Sequence, residues 1–299
     1  MKNNPLLGWA FALPALILIV LFLIYPTFRT IQMSFTTGAN FQTNEYVGLD
    51  NYVTLFTNDR YFFNVREFPP SGAIFNTMLW LLLFTGGTVG FGLLIAVMAN
   101  AVRYEVLIKT IVFLPTAISF TAAGIIWRFV YSPDPKVGVL NAIWVGIFGG
   151  ESVSWLGNVN MVNFAVIVAA IWLSTGFCTV ILSAGLKSLP AEVHEAARVD
   201  GATTLEVFAF ITVPMLWPTI LVVTTTMIIN VLKAFDLVFI MTQGGPRNAS
   251  RIIGFSMYQE MFNNNRPGYG SAIAVIMLIL VLPFVYFNIR RYRNEEAGR

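Results

Sequence analysis

Six stretches of the chain are apolar for long enough to cross a membrane, and polar residues gather in the segments between them. They run Gly8–Met33, Ala73–Asn100, Ile108–Tyr131, Asn163–Leu186, Trp217–Met241 and Ser271–Ile289. A helix crosses the roughly 30 Å hydrocarbon core with about 20 largely apolar residues. In lipid only helices and closed barrels satisfy every backbone hydrogen bond, and continuous apolar runs exclude the alternation of a barrel strand. The pattern predicts an all-α membrane protein with six transmembrane helices. The first run reads as a span and not as a cleaved leader. Its apolar stretch from Leu6 to Tyr25 exceeds the roughly 7–15 residues of a signal sequence, and no small-x-small site follows it.

No stretch rich in proline, serine or charge divides the chain and no fixed-period repeat is visible, so residues 1–299 read as one domain. A long loop, Ser34 to Gly72, sets the first span apart as peripheral; the other five lie closer together. The polar loop 187–213 is the most patterned segment between spans. Ser188-Leu189-Pro190 opens a short helix there, with Glu192 at its positive end, and Gly201 breaks it. Thr203 with Glu206 makes a capping-box pattern that starts a second helix. Ala196, Ala197 and Gly201 leave an exposed ridge nearly bare of side chain, which another protein's surface could approach closely. Elsewhere, Val137 to Phe148 is apolar but too short to cross, and reads as a helix lying in the interface. Gly48-Leu49-Asp50-Asn51 reads as a turn anchored by Tyr46 and Tyr52.

Composition narrows the functions. Mean hydropathy is +0.72 with 11% charged residues, against about 25% charged in soluble domains. Lys2, Arg103, Lys109, Lys187, Arg198 and the Arg290, Arg291, Arg293, Arg299 tail lie densely in short segments, which are expected to be cytoplasmic together with both termini. Arg60, Arg66, Lys136, Arg247, Arg251 and Arg266 are spread over longer, outward loops. The net charge of +3 therefore reads as topology, with no support for nucleic-acid binding. Cys178 is the one cysteine and lies within the fourth span, where burial is the expected role; His194 reads as a solvated loop residue. One histidine, one cysteine and few acids within the spans offer no catalytic or metal-binding cluster.

Polar groups at membrane depth are costly in lipid and mark cavities or partner helices. The fifth span offers Thr224, Thr225, Thr226, Asn230, Lys233 and Asp236. Met227, Asn230, Val231 and Ala234 follow i, i+3, i+4, i+7 spacing and share one helical face. Trp172, Ser174 and Phe177 in the fourth span read as nearly one face, whose aromatics could stack on the apolar side of a sugar ring. Lys233 and Asp236, three apart, read as an ion pair at a gate or as side chains snorkelling to the interface. Gly86 and Gly90 read as a helix-packing pair.

Glu195-Ala196-Ala197, three residues, Gly201, nine residues, then Ile211-x-Val213-Pro214 resembles the cytoplasmic "EAA" loop of permease subunits in binding-protein-dependent ABC importers, with Val213 in place of a leucine. Val47-Gly48-Leu49-Asp50-Asn51-Tyr52 and Met241-Thr242-x-Gly244-Gly245-Pro246 resemble stretches of the sugar-type branch, and Trp172-Leu173 with aromatic Phe177 aligns with maltose-type permeases. There the family's asparagine and tyrosine positions fall on Ala170 and Phe177. The resemblance implies an ABC importer permease fold whose coupling helix, with Glu195, Ala196, Ala197 and Gly201, docks into an ATPase subunit. It implies a substrate pathway through Trp172, Ser174, Phe177, Met227, Asn230, Val231 and Ala234. It implies as partners a second permease, two ATPase chains that carry Mg-ATP, and an extracytoplasmic solute-binding protein, in a bacterial or archaeal cytoplasmic membrane. The expected solute is a carbohydrate such as an α-glucoside or glucosylglycerol, with glycerol-3-phosphate or another polyol as the alternative. No cofactor is expected in this chain, since Gly185-Leu186-Lys187-Ser188 lacks phosphate-loop spacing. A secondary transporter would need a coupling-ion site, for which Asp236 alone is a thin basis.

Overall fold

The computed structural model describes residues 5–38, 45–66 and 71–297. Lys2 and Arg299 lie outside them, and for Arg291 and Arg293 only the helical backbone is described. Apart from two isolated bridges, the described residues form helices and loops. Helix α1 (Pro5–Ile19) passes through a π-helical turn into α2 (Tyr25–Met33), and α3 (Asp50–Thr57) lies in the loop that follows. The long α4 (Ala73–Asn100) leads to α5 (Glu105–Phe113), α6 (Phe120–Val130) and the short α7 (Val139–Phe148). Next come α8 (Val162–Lys187), α9 (Ala191–Val199) and α10 (Thr204–Glu206). A π-helical turn, Val207–Thr212, joins α10 to α11 (Val213–Leu232). Finally α12 (Asp236–Met241) and α13 (Ile253–Tyr258) precede α14 (Pro267–Ala297).

The bundle is built around α8: 61% of its most apolar window is buried, against 28% in α4 and 0% in the first span. Small residues make the closest approaches possible. A Cβ at Gly92 of α4 would sit 2.6 Å from the Cβ of Cys178, and one at Gly176 would sit 2.3 Å from the carbonyl of Val112 in α5. Gly87 is packed likewise against Ile171. Gly86 and Gly90 have nothing within 4 Å, so the expected packing pair faces out of this chain and its neighbours Gly87 and Gly92 do the packing. The broad outward apolar faces, Phe11 to Ile24 among them, suit lipid or a second subunit.

Two spans depart from the uniform helices expected. The third bends by 102° between Glu105–Ala117 and Phe120–Val130. Pro115 supplies no N–H, and Ser119 takes an extended backbone and caps α6, its hydroxyl accepting from Ala122 N at 3.2 Å. The long helix of the fifth run begins at Thr204 instead of Trp217, because helical structure continues from the polar loop without a stop, and it ends at Leu232, short of the expected Met241. Phe235, at φ −149° and ψ −54°, separates α11 from α12. The loop tying α3 to the first span rests on Asn51, which donates to the carbonyls of Ser34 and Thr36 at 2.9 and 3.0 Å, and on Tyr52, which donates to Ser34 Oγ at 2.7 Å.

Candidate functional site

At the end of α8 the chain leaves the bundle and makes a polar elbow. Pro190 takes the N-cap position of α9 with an extended backbone, so the helix starts one residue later than Ser188-Leu189-Pro190 would place it. At the other end Gly201 adopts φ +88°. Gly201 N donates to Arg198 O at 3.1 Å and Ala202 N to Ala197 O at 3.0 Å, the paired bonds of a Schellman cap. The spacing from Ala197 to Gly201 is thus a backbone requirement as well as a surface pattern. The capping box forms as expected: Thr203 N donates to Glu206 Oε2 at 2.7 Å, and Glu206 N to Thr203 Oγ1 at 3.3 Å.

Glu195, Ala196 and Gly201 are exposed, but Ala197 is 9% exposed and turned inward, so it does not belong to the bare ridge. The missing surface is supplied by Val199 and Leu205, 87% and 78% exposed, on either side of Gly201. Nothing in the sequence singled them out, because the same loop also carries Leu189, Val193, Val207, Phe208, Phe210 and Ile211. His194 is not freely solvated. Its Nδ1 lies 3.2 Å from Pro190 O and its Nε2 3.0 Å from Thr212 Oγ1, while Thr212 is buried in the π-helical turn. The imidazole therefore straps α9 to the root of the fifth span. Beside the elbow, Lys109 contacts Asn100 Oδ1 (2.8 Å), Glu105 and Ser183, and Lys187 pairs with Glu105. These contacts join the ends of α4, α5 and α8 into one platform.

Toward the opposite ends of the same helices, both broken spans meet around one cavity of about 240 Å³. Phe120 comes from the break in the third span, and Lys233, Phe235 and Asp236 from the break in the fifth; Trp80 and Ser174 come from the unbroken α4 and α8. At a rise of about 1.5 Å per residue, Trp80 and Ser174 lie roughly 10 and 18 Å below the ends of α4 and α8. Irregular backbone at such depth is tolerated where it is buried in protein or lines an aqueous cavity. The half-helices frame the site together, with Ile240 of α12 seated against Gly124 of α6, where a Cβ would be 2.9 Å away.

Of the expected pathway residues, Ser174, Asn230, Val231 and Ala234 line this cavity. Met227 does not; it is 1% exposed and packed in the core. Trp172 and Phe177, 36% and 37% exposed, are not among the cavity's walls. Trp172 stands edge-on to Trp127 at 5.7 Å. At 100° per residue Trp172 and Ser174 point about 200° apart, so they do not share a face. The aromatic walls are Trp80, Phe84, Phe120 and Phe235, none foreseen, although Trp80 and Phe84 are i, i+4 neighbours. Trp80 is held by a polar thread: Nε1 donates to Asn163 Oδ1 (2.8 Å), Asn163 Nδ2 to Asn76 Oδ1 (3.1 Å), and Asn76 Nδ2 to Arg251 O (2.8 Å). Lys233 and Asp236 are exposed to the cavity and, among the described residues, form no ion pair. The helix break between them removes the i, i+3 geometry on which the expected pair depended.

A multi-pass helical bundle with a polar elbow at one end and a cavity between broken spans defines a membrane transporter. Residues 88–294 match the binding-protein-dependent transport system inner membrane component family, and the chain belongs to that family, as a permease subunit of an ABC importer. It is 47% identical over 290 residues, 96% of this chain and 99% of the relative, to the osmoprotective compounds uptake permease protein GgtC of Synechocystis sp.. It is 40% identical to the alpha-glucoside transport system permease protein AglF of Rhizobium meliloti, over 99% of this chain and 85% of that protein. In structure it is similar to a chain of a bacterial ABC transporter involved in the import of the acidic polysaccharide alginate, with a TM-score of 0.80 and 26% identity over 96% of this chain and 95% of that one.

Proposed function

We propose that this chain is half of the transmembrane pathway of an ATP-driven carbohydrate importer, passing an α-glucoside, a glucosylglycerol or a similar small sugar derivative through the cavity between the broken spans. The convergence of both breaks on one cavity, with Ser174 and Asn230 set among aromatic walls, carries the reading. Hydroxyl-rich solutes need a few hydrogen-bonding groups among faces that can stack on a sugar ring. The names of the relatives, alpha-glucoside and trehalose/maltose permeases among them, point to the same solute class.

In this reading a second permease encloses the other side of the cavity, and a solute-binding protein delivers the sugar from outside. Two separate ATPase chains carry Mg-ATP. One grips the elbow through exposed Glu195, Ala196 and Gly201, flanked by Val199 and Leu205. Both termini and the elbow face the cytoplasm. ATP closure would pull on α9, and the strap to Thr212 and the platform at Glu105 would carry that movement into α11 and α8.

Reconstitution in proteoliposomes tests this. Uptake of a labelled α-glucoside should require the ATPase and ATP, and should survive collapse of ion gradients. Glu195→Lys should leave membrane insertion intact and lower sugar-stimulated ATP turnover at least tenfold. Uptake driven by an ion gradient without ATPase would overturn the importer mechanism, and normal turnover in Glu195→Lys would overturn the docking role.

A further inference from the structure

Lys233 and Asp236 bracket the break in the fifth span and face one cavity with no partner among the described side chains. An ionisable group at membrane depth is retained where it pairs or faces water. Both residues are exposed and neither is paired among the described residues, so both charges are available to a solute. Among the described residues they are the only charged ones lining the cavity, so this wall carries one positive and one negative group and no net charge. Asn230 and Ser174 likewise have no hydrogen-bond partner recorded among the described side chains and lie in the same wall. Apart from the Trp80 indole N–H, which is given to Asn163, the polar side chains of the wall are therefore uncommitted.

Such a wall has a definite preference. A carboxylate accepts two hydroxyl hydrogens at once, and an ammonium donates to hydroxyl oxygens, so a vicinal diol can engage both. A net anion entering the site gains from Lys233 and loses to Asp236, while still giving up its hydration; a neutral polyol gives up much less. We propose that Lys233 and Asp236 form an electroneutral selectivity element that hydrogen-bonds a neutral polyhydroxylated solute and rejects net-charged analogues. The inference rests on the carbohydrate reading above and extends it, because it places selection inside the membrane pathway in addition to any made by the binding protein. It also accounts for the break itself: continued helix would bring Lys233 and Asp236 to i, i+3 spacing, where they would neutralise each other.

The test uses the complete permease–ATPase complex in nanodiscs without binding protein, so that only the pathway selects. The probes are maltose and its carboxylate counterpart maltobionate, with affinities measured by equilibrium dialysis of the labelled sugars. Wild type should prefer maltose. Asp236→Asn leaves the wall positive and should shift the maltobionate-to-maltose affinity ratio at least tenfold toward the anion. Lys233→Met leaves it negative and should shift the ratio at least tenfold the other way. The charge exchange Lys233→Asp with Asp236→Lys restores neutrality and should return the ratio to within about threefold of wild type; it also supplies a readout if a single variant fails to assemble. Ala170→Trp fills the cavity and should abolish saturable binding of both probes. Ratios unmoved in both single variants, or binding that survives Ala170→Trp, overturn the selectivity element and leave the importer reading standing. Wild-type complex that binds neither sugar overturns the carbohydrate reading itself.

Discussion

His194 shows how a single side chain can set the quality of coupling. Pro190 O can only accept, so Nδ1 facing it carries the proton. Nε2 lies 3.0 Å from the Thr212 hydroxyl, which also donates to the Val207 carbonyl at 3.3 Å, and the pair joins α9 to the π-helical turn. A net hydrogen bond is worth about 1 kcal/mol, or about fivefold in an equilibrium. His194→Ala and Thr212→Val should each lower the sugar carried per ATP hydrolysed by roughly that factor, while assembly and basal ATP turnover persist. The double variant should be no worse than either single one, since both remove the same bond. Paired measurement of uptake and phosphate release checks this; a full additive loss in the double variant would show that the two residues act separately. The sequence could not reveal the strap, because residues eighteen apart met only once the loop had folded. The cavity was legible in part. Helical register correctly united Asn230, Val231 and Ala234, but it spans a whole stripe of helix, and only the end beside the break opens into the cavity; one turn earlier, Met227 is core.

The elements were read from apolar length, which identifies a span without showing whether it is straight. All six apolar runs became helical crossings or bent pairs. The two breaks at Ile118–Ser119 and Lys233–Phe235 escaped notice because the apolar runs resume directly after each, and only Pro115, Ser119 and the polar pair flagged them. The elbow was more legible, since caps are local chemistry: Pro190, Gly201, Thr203 and Glu206 fix its ends with little help from the rest of the fold. Packing glycines were harder to choose from sequence. Gly86, Gly87, Gly90 and Gly92 look alike in the chain, yet only the second and fourth meet neighbours. Gly176 is a stringent test of this level, since its Cβ position is occupied by the Val112 carbonyl, which is backbone and cannot rotate away. Gly176→Val should force α5 from α8 at a cost of about 1–3 kcal/mol or more, lowering the melting temperature of the purified complex. Gly86→Val, with open space around it in this chain, should leave the permease fold intact. Equal destabilisation by the two substitutions would mean that the α5–α8 contact does not set the packing.

At the scale of the whole molecule, two groups of basic residues lie at opposite ends of the bundle and differ in how they are held. Lys109 and Lys187 are gathered around Glu105 beside the elbow. Arg251 and Arg266 converge on Glu260 in a cleft of about 1370 Å³ that Arg60 and Arg247 also line. Positive residues near span ends orient a bundle when they sit in short loops, and those at the elbow end do. In the proposed reading the elbow would therefore face the cytoplasm and the large cleft the outside, where a binding protein would arrive. Because the chain has one cysteine, which is fully buried, Cys178→Ala provides a background for labelling. In it, Arg247→Cys should react with an impermeant maleimide added to intact spheroplasts. Val199→Cys, at a position 87% exposed on the elbow, should react only after the membrane is opened, and should be shielded again when the ATPase is bound. Labelling of Val199→Cys in sealed spheroplasts would invert the bundle, and with it the side from which ATP could drive the cavity.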